Sequence, residues 1–261
     1  MPPEKKVSVY GQEIHYYEEG KGPAVIFLHG MVGTSTDWAY NLGPLSQNYH
    51  VIALDQVGFG HSSKPRIEYT IANFVDFLRE FMRVRRIPKA VIVANSLGGW
   101  IACDFAASHP DLVDRLVLVD ASGLDAPVHH DVPVDMNPST QDGMRRLWET
   151  LFFDQTKLTP EIADYSWNRR LRDGDSDTIR RLVAGLVKGN EFEDAKMGSI
   201  KARTLIIWGH DDKILPLEAG QRLQRALPGS ELVVIDECGH VPQLEKPAEF
   251  NRILLRFLSR P

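Results

Sequence analysis

Several features are scarce in this sequence, and each scarcity excludes a class of protein. The 261 residues contain no apolar run near the roughly 20 residues needed to cross a bilayer, so no membrane span is expected. Lys and Arg number 30 against 35 Asp and Glu, and no basic stripe marks a nucleic-acid surface. The first residues lack the hydrophobic stretch of a secretory signal, which predicts a cytoplasmic location.

Cysteine is scarce too, with only Cys103 and Cys238 in the chain. A disulfide is not expected without an export signal, and two distant cysteines make a poor zinc site. His210 stands beside Asp211 and Asp212, but no second histidine or carboxylate follows at a ligand spacing. We therefore predict neither a metal nor another cofactor.

What the sequence has in abundance is short, fully apolar segments separated by segments of helical periodicity. Such segments are typical of strands buried on both faces, joined by crossover helices into a parallel sheet. The first two strands are instead separated by Gly11 and Gln12, which predicts an antiparallel hairpin. The predicted strands cover residues 7–10, 14–17, 24–28, 51–54, 91–94, 116–119, 204–208 and 231–235.

The alternation stops at about Ser122 and resumes at Thr204. Between them, the segments 143–152, 160–171 and 176–188 have helical patterns, and no convincing strand occurs. We predict a helical insertion over residues 123–199, with residues 1–122 and 200–261 forming one sheet domain. The insertion is expected to cover the carboxyl ends of the strands, where such sheets bind ligands.

One serine stands at a position typical of a nucleophile. An apolar strand ends at Asn95, Ser96 follows, and a helix begins immediately afterwards. A serine in so tight a turn requires small neighbours, and Ala94 and Gly98 supply them. A serine that merely caps a helix is the plainer interpretation, but the preceding strand and the flanking small residues favour a nucleophile.

A serine nucleophile needs a base, and the base needs an acid that holds its tautomer. Of the nine histidines we choose His240, which follows the last predicted strand in a glycine-containing loop. Asp211 and Asp212 both follow the strand 204–208, and Asp120 ends the strand 116–119. The residues alone leave these three aspartates open as the acid.

Five segments, in this order, resemble the α/β-hydrolase family over nearly the whole chain. They are Leu28-His29-Gly30-Met31, residues 55–60, Asn95-Ser96-Leu97-Gly98-Gly99, residues 208–216 and Cys238-Gly239-His240 with Pro242. The resemblance implies a mostly parallel eight-stranded sheet with helices on both faces and a helical cap.

Carried over position by position, the resemblance makes Ser96 the nucleophile, His240 the base and Asp212 the acid. The backbone N–H groups of Met31 and Leu97 would form the oxyanion hole. No metal or cofactor is implied.

The same resemblance leaves three functions open. We favour a carboxylesterase that forms an acyl-enzyme at Ser96. The alternative is a carbon–carbon bond hydrolase of vinylogous diketone ring-fission products, a group that commonly has Asn-Ser at this turn, as at Asn95. That group usually has Trp where Val241 stands, and Arg before a cap tryptophan where Ser166 stands. The third option is a non-catalytic ligand receptor on the same fold.

The expected partner is a small apolar ester, and the oligomeric state stays open, with a dimer as one option. Trp148 and Phe152 have two possible roles, packing of the insertion on the sheet domain or lining of a substrate pocket. An alternative role for His29 is to shape the turn in which it lies. The predicted substrate-binding residues are His29, Gly30, Asn95, Trp100, Trp148, Phe152 and Val241.

Overall fold

The computed structural model describes residues 1–123, 134–187 and 194–260. Its strands are β1 (Glu4–Val9), β2 (Gln12–Glu19), β3 (Ala24–Leu28), β4 (His50–Leu54), β5 (Ala90–Asn95), β6 (Val113–Val119), β7 (Arg203–Gly209) and β8 (Glu231–Ile235). They form one sheet in the order β1-β2-β4-β3-β5-β6-β7-β8. The pairs β1–β2 and β2–β4 are antiparallel and all the others are parallel. The predicted mostly parallel, eight-stranded sheet is confirmed.

Helices connect the strands. They are α1 (Ala39–Ser46), α2 (Ile71–Val84), α3 (Leu97–Ser108), α4 (Gln141–Leu151), α5 (Pro160–Asp173), α6 (Asp175–Val187), α7 (Asp194–Met197), α8 (Leu217–Ala226), α9 (Pro242–Glu245) and α10 (Pro247–Leu258). A short 3-10 turn at Ser35–Trp38 precedes α1. Local chemistry sets several boundaries, as where the Thr70 hydroxyl accepts from the Asn73 N–H at 3.2 Å and begins α2.

The core has two layers because successive strand residues face opposite sides of the sheet. Ile26 and Leu28 pack with Phe105 of α3 on one face. Val25 and Phe27 pack with Phe250 of α10 on the other. The two buried, free cysteines lie on different sides, Cys103 in the first cluster and Cys238 in the second.

Between β6 and β7 the described residues form helices α4 to α7 and no strand. Residues 124–133 and 188–193 of the predicted insertion lie outside the described part of the chain, and the boundaries 123–199 stay a prediction. The end of α4 contacts the sheet domain, since Leu151 O accepts from the His240 N–H at 2.8 Å. None of the helices in the described ranges is long and apolar enough to cross a membrane. The cytoplasmic location stays a prediction.

Candidate active site

Ser96 forms the turn between β5 and α3 with φ 53° and ψ −119°. A positive φ is uncommon for a residue with a side chain and is strained. The small residues that follow are required by close contacts. A Cβ at Gly98 would lie 2.6 Å from Leu28 O, and one at Gly99 would lie 2.4 Å from the Ala121 Cβ. The sharp turn therefore packs tightly against the ends of β3 and β6.

The loop after β3 lies directly beside this serine. A Cβ at Gly30 would lie 3.2 Å from the Ser96 Cβ. Met31 follows Gly30, and Leu97 begins α3, so the two predicted oxyanion donors belong to the segments that meet here. Their role as donors stays a prediction.

His29 supports this loop from inside the core. Its side chain is fully buried, and burial lowers its pKa. Nε2 accepts from the Gln56 N–H at 3.1 Å, so Nδ1 carries the proton and donates to Gly30 O at 2.7 Å. The ring therefore shapes the turn, and it has no exposed surface to offer a ligand.

The imidazole of His240 meets one of the three candidate acids. His240 Nδ1 lies 2.7 Å from Asp212 Oδ2. The other oxygen of Asp212 accepts from the N–H groups of Ile214 at 2.7 Å and Leu215 at 3.0 Å. Because Asp212 is an acceptor, the proton of His240 lies on Nδ1. His240 Nε2 is buried without a hydrogen-bond partner among the described residues.

Asp120 lies beside this pair but does not replace Asp212. Carboxylate oxygens of Asp120 and Asp212 and a ring nitrogen of His240 all lie within 4.8 Å of one another. Burial and the charge of Asp212 raise the pKa of Asp120 well above its usual value, while its Oδ1 accepts from the Gly209 N–H at 2.9 Å. Burial thus disfavours the charged form of Asp120. Asp211 is partly exposed, and its carboxylate lies 3.4 Å from His210 instead.

Asn95 joins the serine turn to the histidine loop. Its Nδ2 donates to Val119 O at 3.0 Å and to His240 O at 3.1 Å. The amide is only 3% exposed. Asn95 therefore holds backbone in place, and the substrate contact predicted for it stays a prediction.

Glu245 is a residue that the sequence did not reveal. Its Oε2 accepts from the N–H groups of Gly239 at 2.8 Å and Phe153 at 3.2 Å, and its Oε1 accepts from Asp154 at 2.6 Å. The side chain is 1% exposed. It thus fastens the histidine loop to the helical insertion. No local sequence pattern predicts this role, because two of its partners, residues 153 and 154, are distant in sequence.

Two predicted pocket residues line a cavity of about 310 Å³ between the loop after β3 and helices α4 and α5. Trp148 and Phe152 form its apolar wall, and Val32, next to Met31, lies at its core side. Of the other candidates, Val241 is 4% exposed and directly follows His240. Trp100 lies elsewhere, where a Cβ at Gly123 would be 2.6 Å from the Trp100 Cγ, and does not line this cavity.

Charged side chains of both signs line the cavity, namely Asp37, Lys157, Glu161 and Arg169. Burial raises the pKa of Asp37 to about 7. Arg169 also lines the cavity, but it pairs with Asp175 and donates to Val32 O at 3.1 Å. Ser166, which stands where the resemblance expects an arginine, lines the same wall.

The sequence also matches a protein family that has this architecture. The family model described as the alpha/beta hydrolase fold matches residues 23–247. The chain therefore belongs to the α/β-hydrolase family, as its motifs indicated.

Among known proteins, the chain is 32% identical to the 2-hydroxy-6-oxo-6-(2'-aminophenyl)hexa-2,4-dienoic acid hydrolase of Metapseudomonas resinovorans, covering 98% of this chain and 91% of that protein. A solved meta-cleavage product hydrolase from Pseudomonas fluorescens is 29% identical, with a TM-score of 0.88 and 97% of each chain covered. A solved bacterial membrane phospholipase A is 26% identical, with a TM-score of 0.90, covering 98% of this chain and 85% of that one.

Proposed function

We propose that the chain is a serine hydrolase with Ser96 as nucleophile, His240 as base and Asp212 as the acid that orients the base. The observation that carries this proposal is the 2.7 Å contact between His240 Nδ1 and Asp212 Oδ2, which leaves a buried Nε2 unpaired. The strained backbone of Ser96 supports it, because such strain is typical of a nucleophile turn.

The proposed reaction assigns one step to each of these residues. His240 Nε2 takes the Ser96 hydroxyl proton as Oγ attacks a carbonyl carbon, and Asp212 stabilises the resulting imidazolium. The N–H groups of Met31 and Leu97 are proposed to donate to the oxyanion. His240 then gives the proton to the leaving group, and water hydrolyses the acyl-enzyme through the same base.

We infer that the substrate is a vinylogous diketone ring-fission product, cleaved at a carbon–carbon bond. Relatives near 30% identity that span almost the whole chain are named for such substrates. This reverses the preference for esters that the departures at Val241 and Ser166 suggested. Asn95 before Ser96 agrees with the carbon–carbon group.

A carboxylic ester remains the second candidate, because Val241 and Ser166 depart from the pattern of the carbon–carbon group. Arg169 and Arg170 offer no unengaged cation, since Arg170 donates to Asn137 Oδ1 at 3.1 Å. The phospholipase neighbour shares the fold at a TM-score of 0.90.

The deciding experiment compares kcat/KM for p-nitrophenyl esters of increasing acyl length with kcat/KM for a ring-fission dienoate. Faster turnover of the dienoate supports carbon–carbon cleavage, and turnover of esters alone supports the second candidate. Turnover of neither, with intact fold, supports a ligand receptor.

A fluorophosphonate label provides an independent check of the nucleophile. The proposal expects mass spectrometry to locate the adduct on Ser96 and expects Ser96→Ala to remain unlabelled. A Ser62→Ala variant serves as the control, because Ser62 is a buried serine in another loop. An adduct on any other residue would overturn the assignment.

A further inference from the structure

A second histidine–aspartate pair lies where β2 meets the end of β4. His15 of β2 is 1% exposed, and its Nδ1 lies 2.8 Å from Asp55 Oδ2. Asp55 fixes the proton on Nδ1, as a carboxylate does behind a metal-binding histidine. His15 Nε2 is buried and has no hydrogen-bond partner in the described part of the chain. Its lone pair is therefore available.

The side chains of Glu4 and His61 lie near His15 Nε2 and could bind a metal ion together with it. Glu4 Oε1 lies 3.6 Å from His15 Nε2 and 3.5 Å from His61 Nδ1. Ligand atoms of all three residues lie within 4.8 Å of one another. Around a tetrahedral zinc ion with bonds of about 2.0–2.1 Å, ligand atoms are about 3.3 Å apart. The observed spacings are close to that value and longer than ordinary hydrogen bonds.

We propose that Glu4, His15 and His61 bind a divalent transition-metal ion of the zinc class, with water as the remaining ligand. Imidazole nitrogens and a carboxylate oxygen are the donors that this class of ion prefers. The ion can enter from solvent, since the side chains of Glu4 and His61 are 50% and 37% exposed.

The groups behind the ligands fit the same assignment. The Tyr17 hydroxyl donates to Glu4 Oε1 at 3.2 Å and so holds this carboxylate in place. Asp55 supports His15 in the same way. The bound ion would fasten β1, through Glu4, to the loop after β4, through His61.

The guanidinium of Arg172 lies close enough to repel a bound metal ion, so its removal predicts a change of affinity in a stated direction. Arg172 Nη2 lies 3.4 Å from His61 Nε2, and Arg172 Nε also donates to Asp173 Oδ1 at 2.8 Å. A metal ion bound at His61 Nδ1 leaves the ring proton on Nε2, which can then no longer accept from Arg172. This N–H would instead donate to Asp173, whose Oδ2 is 3.9 Å away. Removing Arg172 should therefore strengthen binding.

The experiment titrates Zn²⁺ into the untagged full chain by isothermal calorimetry and repeats the titration with variants. We expect one ion per chain. Glu4→Gln and His61→Ala should each weaken binding at least about tenfold. Arg172→Gln should tighten it. The matched control is His210→Ala, which removes an exposed histidine 3.4 Å from a carboxylate but without a second histidine, and it should leave the affinity unchanged.

These variants avoid His15, whose loss would leave Asp55 without its buried partner. Circular dichroism of Glu4→Gln and His61→Ala confirms that each is folded before titration. Failure of the wild-type chain to bind zinc would overturn the proposal, as would unchanged affinity in both ligand variants. Unchanged or weaker binding by Arg172→Gln would contradict the geometry. None of these outcomes depends on the hydrolase activity.

Discussion

The molecule contains the same histidine–aspartate pair twice, in two different surroundings. His240 meets Asp212 at 2.7 Å and His15 meets Asp55 at 2.8 Å. Both imidazoles are almost fully buried, and both leave Nε2 without a partner among the described residues. What differs is the group that Nε2 can reach. On the two proposals, the same kind of pair presents a nitrogen lone pair to a nucleophile in one place and to a metal ion in the other.

The two aspartates also differ in what surrounds them. Asp212 has the buried Asp120 beside it. Asp55 instead accepts from the backbone N–H and hydroxyl of Ser35, at 2.8 and 2.6 Å, and from the backbone N–H of His61 at 2.8 Å. Burial alone would raise the pKa of Asp55, but the hydrogen bonds from His15 and Ser35 outweigh it and lower the pKa. Asp55 thus serves as a fixed anion that organises loops.

The largest contrast should come from removing the group proposed to act beside each unpaired nitrogen, Ser96 at His240 and Glu4 at His15. Ser96→Ala should lower kcat by about a millionfold, because the nucleophile is lost. Glu4→Gln, the equivalent change at the other pair, should leave kcat unchanged. Steady-state kinetics on the best substrate of the panel measures both. A Ser96→Ala enzyme with substantial activity would remove the distinction between the two pairs.

The next contrast lies between the two acids near His240. Asp212→Asn should lower kcat by roughly ten-thousandfold, because an amide favours the wrong tautomer of the imidazole. Asp120→Asn should lower kcat less than about tenfold, because the amide oxygen can still accept from the backbone N–H of Gly209. Kinetics at saturating substrate checks both values. The reverse order would make Asp120 the acid.

A stability measurement sharpens the comparison at the other pair. Asp55→Asn should cost about 2–3 kcal/mol of unfolding free energy at pH 7, from lost hydrogen bonds to a charged group. The folded-state pKa of Asp55 is lowered, so its contribution is present above the unfolded value of 3.8 and is lost as pH falls below it. Urea unfolding at pH 7, 4 and 3 tests this. A difference that does not shrink at the lowest pH would contradict it.

The smallest contrast concerns the residues that hold each histidine in place. Glu245→Gln should lower kcat about tenfold, since an amide cannot accept as strongly from the N–H groups of Gly239 and Asp154. The Ser62 hydroxyl accepts from the backbone N–H of His15 and donates to the backbone oxygen of Asp55. Ser62→Ala should therefore cost about 1 kcal/mol of unfolding free energy and leave kcat unchanged. Kinetics and urea unfolding on both variants separate positioning from stability.

Much of the fold could be predicted because its signals are local. Buried strands can be predicted from short apolar runs, and the predicted strands 24–28 and 231–235 match β3 and β8 residue for residue. The turn at Ser96 also lies where small residues follow an apolar strand. The identity of the acid could not be settled this way, because Asp120, Asp211 and Asp212 all follow strands at the same edge.

The sequence by itself determined the alternating architecture, the position of the serine turn and the family, since periodicity and small residues act over a few neighbours. Only the tertiary structure decided which carboxylate meets His240, that Glu245 ties its loop to the insertion, and that Glu4 and His61 converge on His15. Those arrangements depend on hydrogen bonds and ion pairs between residues far apart in the chain. Such contacts exist only after the sheet has brought its loops together.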